Sequence, residues 1–117
     1  MVAPTMLVDV RPDMAIVRDE IFGPVVNLIA YDDLDAAIAA INAGIYGLQC
    51  GVFTRRIDVA LKVFRAVRCG GVIVNGTSTW RTDQLAYGGV KASGIGREGP
   101  HYAIREMTEE RFVLFNE

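Results

Sequence analysis

Residues 25–75 read VVNLIAYDDLDAAIAAINAGIYGLQCGVFTRRIDVALKVFRAVRCGGVIVN, and the alternation inside this stretch decides the fold class. Short β-branched runs alternate with segments of helical periodicity, the pattern of βαβ units in a mostly parallel sheet, so the chain is α/β. The first strand is expected over Val25 to Tyr31. Asp32 is then a good N-cap type, Leu34, Ala37, Ile38 and Ile41 recur at helical spacing, and Gly44 stands where a glycine ends a helix. A second strand near Gln49 to Thr54 gives way to a second helix. Thr54 can cap that helix, Val59, Ala60, Val63, Phe64 and Val67 form its apolar stripe, and Arg68 suits its C-terminal dipole. The run from Gly71 to Asn75 reads as a fully buried parallel strand. Both crossovers are expected to be right-handed.

Outward from this unit the character changes. Residues 76–99 are rich in glycine and hydroxyl side chains and show little periodicity, which marks a long loop. Loops beyond about 12 to 15 residues are uncommon inside compact domains and often carry function. Tyr102 to Met107 reads as a short helix, and Arg111 to Phe115 as an apolar strand with nothing after it to cover it, hence a candidate for edge pairing in cis or with another subunit. Toward the N-terminus, Pro4 to Val10 reads as a strand that begins almost at Met1, so the chain reads as cut from something longer.

With 51% apolar and 22% charged side chains among 117 residues, the sequence has the composition of one ordinary globular domain. Its net charge of -2 comes from interspersed acids and bases with no basic stripe, which argues against nucleic acid as a partner. No apolar run approaches the roughly 18 residues needed to cross a bilayer, and MVAPTMLVDV lacks the cationic and apolar regions of a secretory signal. Two cysteines, Cys50 and Cys69, are too few for a disulfide framework; each falls in an apolar segment, and a reducing cytoplasm fits them best.

Several motifs invite chemistry and fail on context. Gly94-Ile95-Gly96-Arg97-Glu98-Gly99 matches G-x-G-x-x-G, but that fingerprint must follow a strand, open a helix and precede an acidic residue about 20 positions on, which this position does not allow. Tight turns are the better account. Cys50 lies inside an expected strand without a base or helix N-terminus to lower its pKa, so it is read as a small buried hydrophobe, like Cys69. His101 stands alone, without other metal-ligand types around it, as a surface or cap residue; Glu109-Glu110 is a solvated turn and Trp80 a packing anchor. In Glu20-Ile21-Phe22-Gly23-Pro24, a carboxylate that can take a diol sits beside a ring that can stack, with glycine and proline fixing the chain direction; a capped helix end explains the segment equally well.

Together these residues resemble the aldehyde dehydrogenase superfamily across nearly the whole chain. The match runs from Pro4-Thr5 and Pro12-Asp13-Met14 through Glu20 to Pro24, Tyr46-Gly47-Leu48, Gly51-Val52-Phe53-Thr54 and Val74-Asn75. It continues through Tyr87-Gly88-Gly89-Val90-Lys91 and Ser93 to Gly99, all in the family's order and at its spacing. Tyr87 to Glu109 is similar to the branch that holds lactaldehyde, succinate semialdehyde, phosphonoacetaldehyde and non-phosphorylating glyceraldehyde-3-phosphate dehydrogenases, with Ala86 where that branch usually has proline and Gln84 where His or Asn is common.

The resemblance implies a division of labour. Residues 1–110 would be the C-terminal part of the catalytic domain, with its parallel βαβ units and the glycine-rich loop 76–99 near the active site, and 111–117 a strand joining the oligomerisation sheet of a neighbouring subunit. Glu20 would accept from the nicotinamide ribose of NAD or NADP, and Phe22 would contact the nicotinamide ring. The family's catalytic cysteine, general-base glutamate and oxyanion asparagine fall outside these residues, as do the groups that tell NAD from NADP; Cys50 aligns with a variable position. Arg81 and Tyr87 are the candidates for contact with a small aldehyde. Arg81 is either a solvated residue paired with Asp83 or a fork for an anionic group, and its spacing to the aromatic favours a small anionic or hydroxylated aldehyde. The alternative is a non-catalytic fragment or assembly module of the same ancestry.

Overall fold

The computed structural model describes Met1–Glu117 in full. Its centre is a βαβ unit: β4 (Gln49–Val52), α3 (Ile57–Ala66) and β5 (Gly71–Val74), with β4 and β5 parallel and Cys50 opposite Val72. The expected second and third strands are thus present, each trimmed at its C-terminal end. α3 turns Ala60 and Val63 inward, and Val63 with the following Val67 buries against Ile38 of α2 (Leu34–Ala43). Leu34, Cys50, Val52, Val59, Cys69 and Val72 close the cluster, whose burial from water is the main source of stability here. Phe64, expected in the same stripe, points to solvent.

The helix ends differ from expectation by a residue or two. Asp33, not Asp32, caps α2, its carboxylate accepting from Asp35 N at 3.2 Å and Ala36 N at 3.1 Å. Gly44 ends the helix in extended backbone rather than in the left-handed region. Thr54 does not cap α3; its hydroxyl accepts from Arg56 N, ahead of the helix. α2 and α3 are tied by Lys62 to Asp35 and by Asn42, which donates to Ala66 O at 2.8 Å and accepts from Arg68 N at 2.7 Å. Arg68 therefore lies past the helix end, and Cys69 lies in the turn before β5.

Three further elements flank this unit. β1 (Thr5–Leu7) and β2 (Val25–Asn27) form a separate parallel pair, with α1 (Ala15–Arg18) between them; Asn27 anchors that helix by donating to Ile16 O at 2.7 Å. β2 stops at Asn27, where its partners in β1 end; Leu28 N still donates to Leu7 O at 2.8 Å, Ile29 to Tyr31 continue without a strand partner, and the long first strand expected over Val25 to Tyr31 is shortened. β3 (Tyr46–Gly47) pairs antiparallel with β6 (Val90–Lys91), so a segment of what the sequence reads as a long loop is held in a short sheet. α4 (Pro100–Glu106) follows. The parallel sheet anticipated from the sequence is therefore divided, in this chain, into three two-stranded pairs.

Arg111 to Phe115, expected as an edge strand, is irregular and exposed. A strand is defined by the neighbour that takes its backbone groups, and the chain supplies none here. The radius of gyration is 18.9 Å, against about 13 Å for a compact domain of this length, and the molecule extends over 74 × 40 × 24 Å. That excess, with only six residues buried, leaves much apolar surface uncovered. No helix is long and apolar enough to cross a membrane.

Candidate functional site

The glycine-rich loop is seated on the βαβ unit by close backbone approach. A Cβ on Gly70 would lie 1.6 Å from Gly88 O, and one on Gly47 would lie 2.6 Å from Arg68 O, so both positions exclude any side chain. Polar side chains finish the seating. Ser93 Oγ accepts from Gly47 N at 2.9 Å, and Arg97 Nη1 donates to Gly89 O at 2.9 Å and Gly96 O at 2.7 Å. Lys91 Nζ donates to three carbonyls, those of Asn42, Gly44 and Tyr46, and so closes the end of α2 onto β6.

Gln49 lines two cavities. In one, Glu20, Ile41, Tyr46, Arg68, Cys69 and Ser93 help line about 360 Å³. The Glu20 carboxylate has no ion pair within the chain. Phe22 stands two residues on, 95% exposed, and lines neither this cavity nor the one beneath Arg81. In the other, Gln49, Trp80, Arg81, Thr82 and Tyr87 surround a smaller hollow of about 100 Å³. Gln49 Nε2 donates to Trp80 O at 3.3 Å, fixing the start of this wall; Trp80 is half exposed there rather than packed as an anchor.

Arg81 and Tyr87 meet, as the sequence reading requires of a joint site, with the guanidinium 4.6 Å above the ring centroid. Arg81 also approaches two carboxylates: Asp83 at 3.9 Å and Glu98 at 3.0 Å. The nearer partner is therefore the distant one in sequence. Glu98 is held there by its backbone, which exchanges two hydrogen bonds with Tyr87 at 2.6 and 3.1 Å. Sequence reasoning missed Glu98, Gln49 and Ser93; only the location of Glu98 within the glycine motif signalled it.

The rejected motifs stay without chemistry. Gly94, Gly96 and Gly99 all take positive φ, as turn glycines do, and the Glu106 carboxylate lies 3.2 Å from where a Cβ on Gly96 would be, a poor neighbour for phosphate. Burial raises the pKa of the Cys50 thiol, with the Cys69 charge adding to it, and burial likewise raises that of Cys69. Both thiols are thus held further from the nucleophilic thiolate form. His101 meets Tyr102 edge-on at 5.6 Å in α4.

Known proteins match this chain over most of its length. It is 50% identical over 113 residues to 3-sulfolactaldehyde dehydrogenase of Priestia megaterium, covering 97% of this chain and 24% of that protein. It is 38% identical over 116 residues to lactaldehyde dehydrogenase of Methanococcus vannielii, covering 99% and 25%. Among solved structures, aldehyde dehydrogenase 21 of Physcomitrella patens, in complex with the reaction product succinate, superposes with a TM-score of 0.89 at 42% identity, over 93% of this chain and 23% of that one. An NAD+ complex of a Bacillus cereus aldehyde dehydrogenase gives 0.87 at 40%, over 92% and 22%. The glyceraldehyde-3-phosphate dehydrogenase of Methanocaldococcus jannaschii complexed with NADP gives 0.82 at 39%, over 89% and 22%. The chain thus spans about a quarter of the length of its relatives. Residues 1–113 match the profile of the aldehyde dehydrogenase family, and the chain belongs to that family.

Proposed function

We propose that this chain is the C-terminal part of an enzyme that oxidises a small aldehyde to the carboxylic acid with NAD or NADP. The observation that carries the reading is the family match over residues 1–113, together with relatives whose solved structures are NAD+ and NADP complexes. The residues at hand fit such a cofactor: an unpaired carboxylate at Glu20 opens on a cavity, and two residues away the Phe22 ring stands free to lie against a flat heterocycle. Glu20 accepts from the ribose hydroxyls at the nicotinamide end, and Phe22 contacts the nicotinamide ring. The cofactor, when bound, accepts the hydride that the aldehyde gives up. By the family resemblance, the thiol nucleophile and the general base come from outside these 117 residues; that burial raises the pKa of both thiols here agrees with this for the nucleophile.

Arg81 and Tyr87 line the mouth through which the aldehyde enters. The guanidinium is the only cation in that hollow, which fits a substrate with a carboxylate, sulfonate or similar anionic group. The irregular tail 111–117 becomes a strand when a second subunit supplies its backbone partner, making the enzyme a homo-oligomer of the cytoplasm. A second reading, an assembly module without catalysis, draws on the exposed run from Phe112 to Phe115.

The test uses the full-length protein with a panel of small aldehydes. Aldehyde-dependent formation of NADH or NADPH is expected; its absence overturns the enzymatic reading in favour of the assembly module. Glu20→Gln leaves one acceptor oxygen in place of two, and a charge-assisted hydrogen bond is worth about 1.5 to 3 kcal/mol, so single-turnover reduction is expected to slow about 10- to 100-fold. Unchanged single-turnover rate and cofactor affinity would make Glu20 a structural residue.

A further inference from the structure

The Arg81 guanidinium is not idle in this chain. Its Cζ lies over the Tyr87 ring, 4.6 Å from the centroid, and Nη2 stands 3.0 Å from Glu98 Oε2, with Asp83 too far to be an equal partner at 3.9 Å. The Glu98 contact is an ion pair without an aligned hydrogen bond, so it uses the charge of the arginine but not its two-point fork. Both side chains are open to solvent, Arg81 at 45% and Glu98 at 63%. The Glu98 backbone, by contrast, is pinned to Tyr87 in both directions. Moving the Glu98 carboxylate aside therefore takes only side-chain rotation and leaves the contact of the guanidinium with the Tyr87 ring available.

We propose that Glu98 is an internal competitor for Arg81, a carboxylate that fills the arginine's field when the site is empty and that the anionic end of an aldehyde must displace. The inference rests on the reading of Arg81 as the receptor of that anionic group. An incoming carboxylate that engages the fork at two points replaces a partner that holds it at one, and a neutral aldehyde has no means of making the exchange. Glu98 thereby sets how strongly charge on the substrate is favoured.

The experiment compares kcat/KM of the full-length enzyme on succinate semialdehyde, which carries a carboxylate, with that on propanal, which carries none. Glu98→Gln keeps the size of the side chain and the backbone pairing with Tyr87. It is expected to raise the anionic-to-neutral ratio about 2- to 5-fold, the range a solvent-screened ion pair allows. Glu98→Asp keeps the charge but withdraws it by one methylene, and is expected to raise the ratio by less. Arg81→Ala is expected to lower the ratio, and the double variant Arg81→Ala, Glu98→Gln to match Arg81→Ala alone, because a competitor without its prize has no effect. A ratio that Glu98→Gln leaves unchanged or lowers, while Arg81→Ala still lowers it, overturns the competitor and leaves the Arg81 receptor standing. A ratio indifferent to Arg81→Ala overturns both.

Discussion

The β4–α3–β5 unit and the loop of residues 76–99 lie against each other and are ordered by different means. In the first, Val63 and Val67 turn away from water against Ile38, and the backbone follows from that burial. In the second, the one buried residue is a glycine, Gly89, and order comes from backbones that touch at Gly70 and Gly88 and from side chains that reach carbonyls across the chain. Apolar burial tolerates small changes of shape by relaxing around them. Close backbone approach has no such slack, since the atom in the way belongs to the main chain. The loop that carries Arg81, Tyr87 and Glu98 is thus fixed by geometry more than by hydrophobic energy.

Amide hydrogen exchange on the full-length protein separates the two modes, since it reads local opening. The largest effect is expected from Gly70→Ala, whose Cβ would fall 1.6 Å from Gly88 O. The loop must lift, at about 3 kcal/mol or more, so that amides of residues 84–98 lose protection over 100-fold while α3 keeps its own. Equal loss in α3 would show one cooperative unit and break the contrast. Val63→Ala comes next. It removes two methyl groups from the core and leaves a cavity, costing about 2 kcal/mol, and should deprotect α3 together with β4 and β5. Protection that falls only in the loop would reverse the assignment of roles. The smallest effect is expected at Asp33→Ala, where loss of the cap should cost about 1 kcal/mol and be confined to the first turn of α2. A change spread along the whole helix would show that the cap holds more than its own end.

What the sequence makes legible follows the same division. β4, α3 and β5 are readable because β-branched runs and a helical stripe are local signals, and burial then selects them. Caps slip by a residue because Asp32 and Asp33 are equally able acceptors in composition, and only the backbone path decides that Asp33 meets Asp35 N and Ala36 N. Strand lengths are misjudged where a partner is required: Ile29 to Tyr31 and Arg111 to Phe115 have strand composition and no strand partner in the chain. At the candidate site, Glu20, Phe22, Arg81 and Tyr87 stand out as residue types in motifs. The approach of Glu98 to Arg81 does not, because it spans 17 positions and depends on the paired backbones of Tyr87 and Glu98. The same is true of β3 with β6, two residues each, too short to leave a periodicity.

For a protein proposed to handle aldehydes, lysines are a chemical liability, since a free amine adds to a carbonyl carbon and loses water to give an imine. Lys91 gives hydrogens to Asn42 O at 3.0 Å, Gly44 O at 2.9 Å and Tyr46 O at 3.4 Å, so condensation there would break the contacts that join α2 to β6. Lys62, the chain's other lysine, meets only Asp35 on an open face. Covalent adducts formed by excess aldehyde should therefore collect on Lys62 and spare Lys91, leaving the seat of the glycine loop chemically intact.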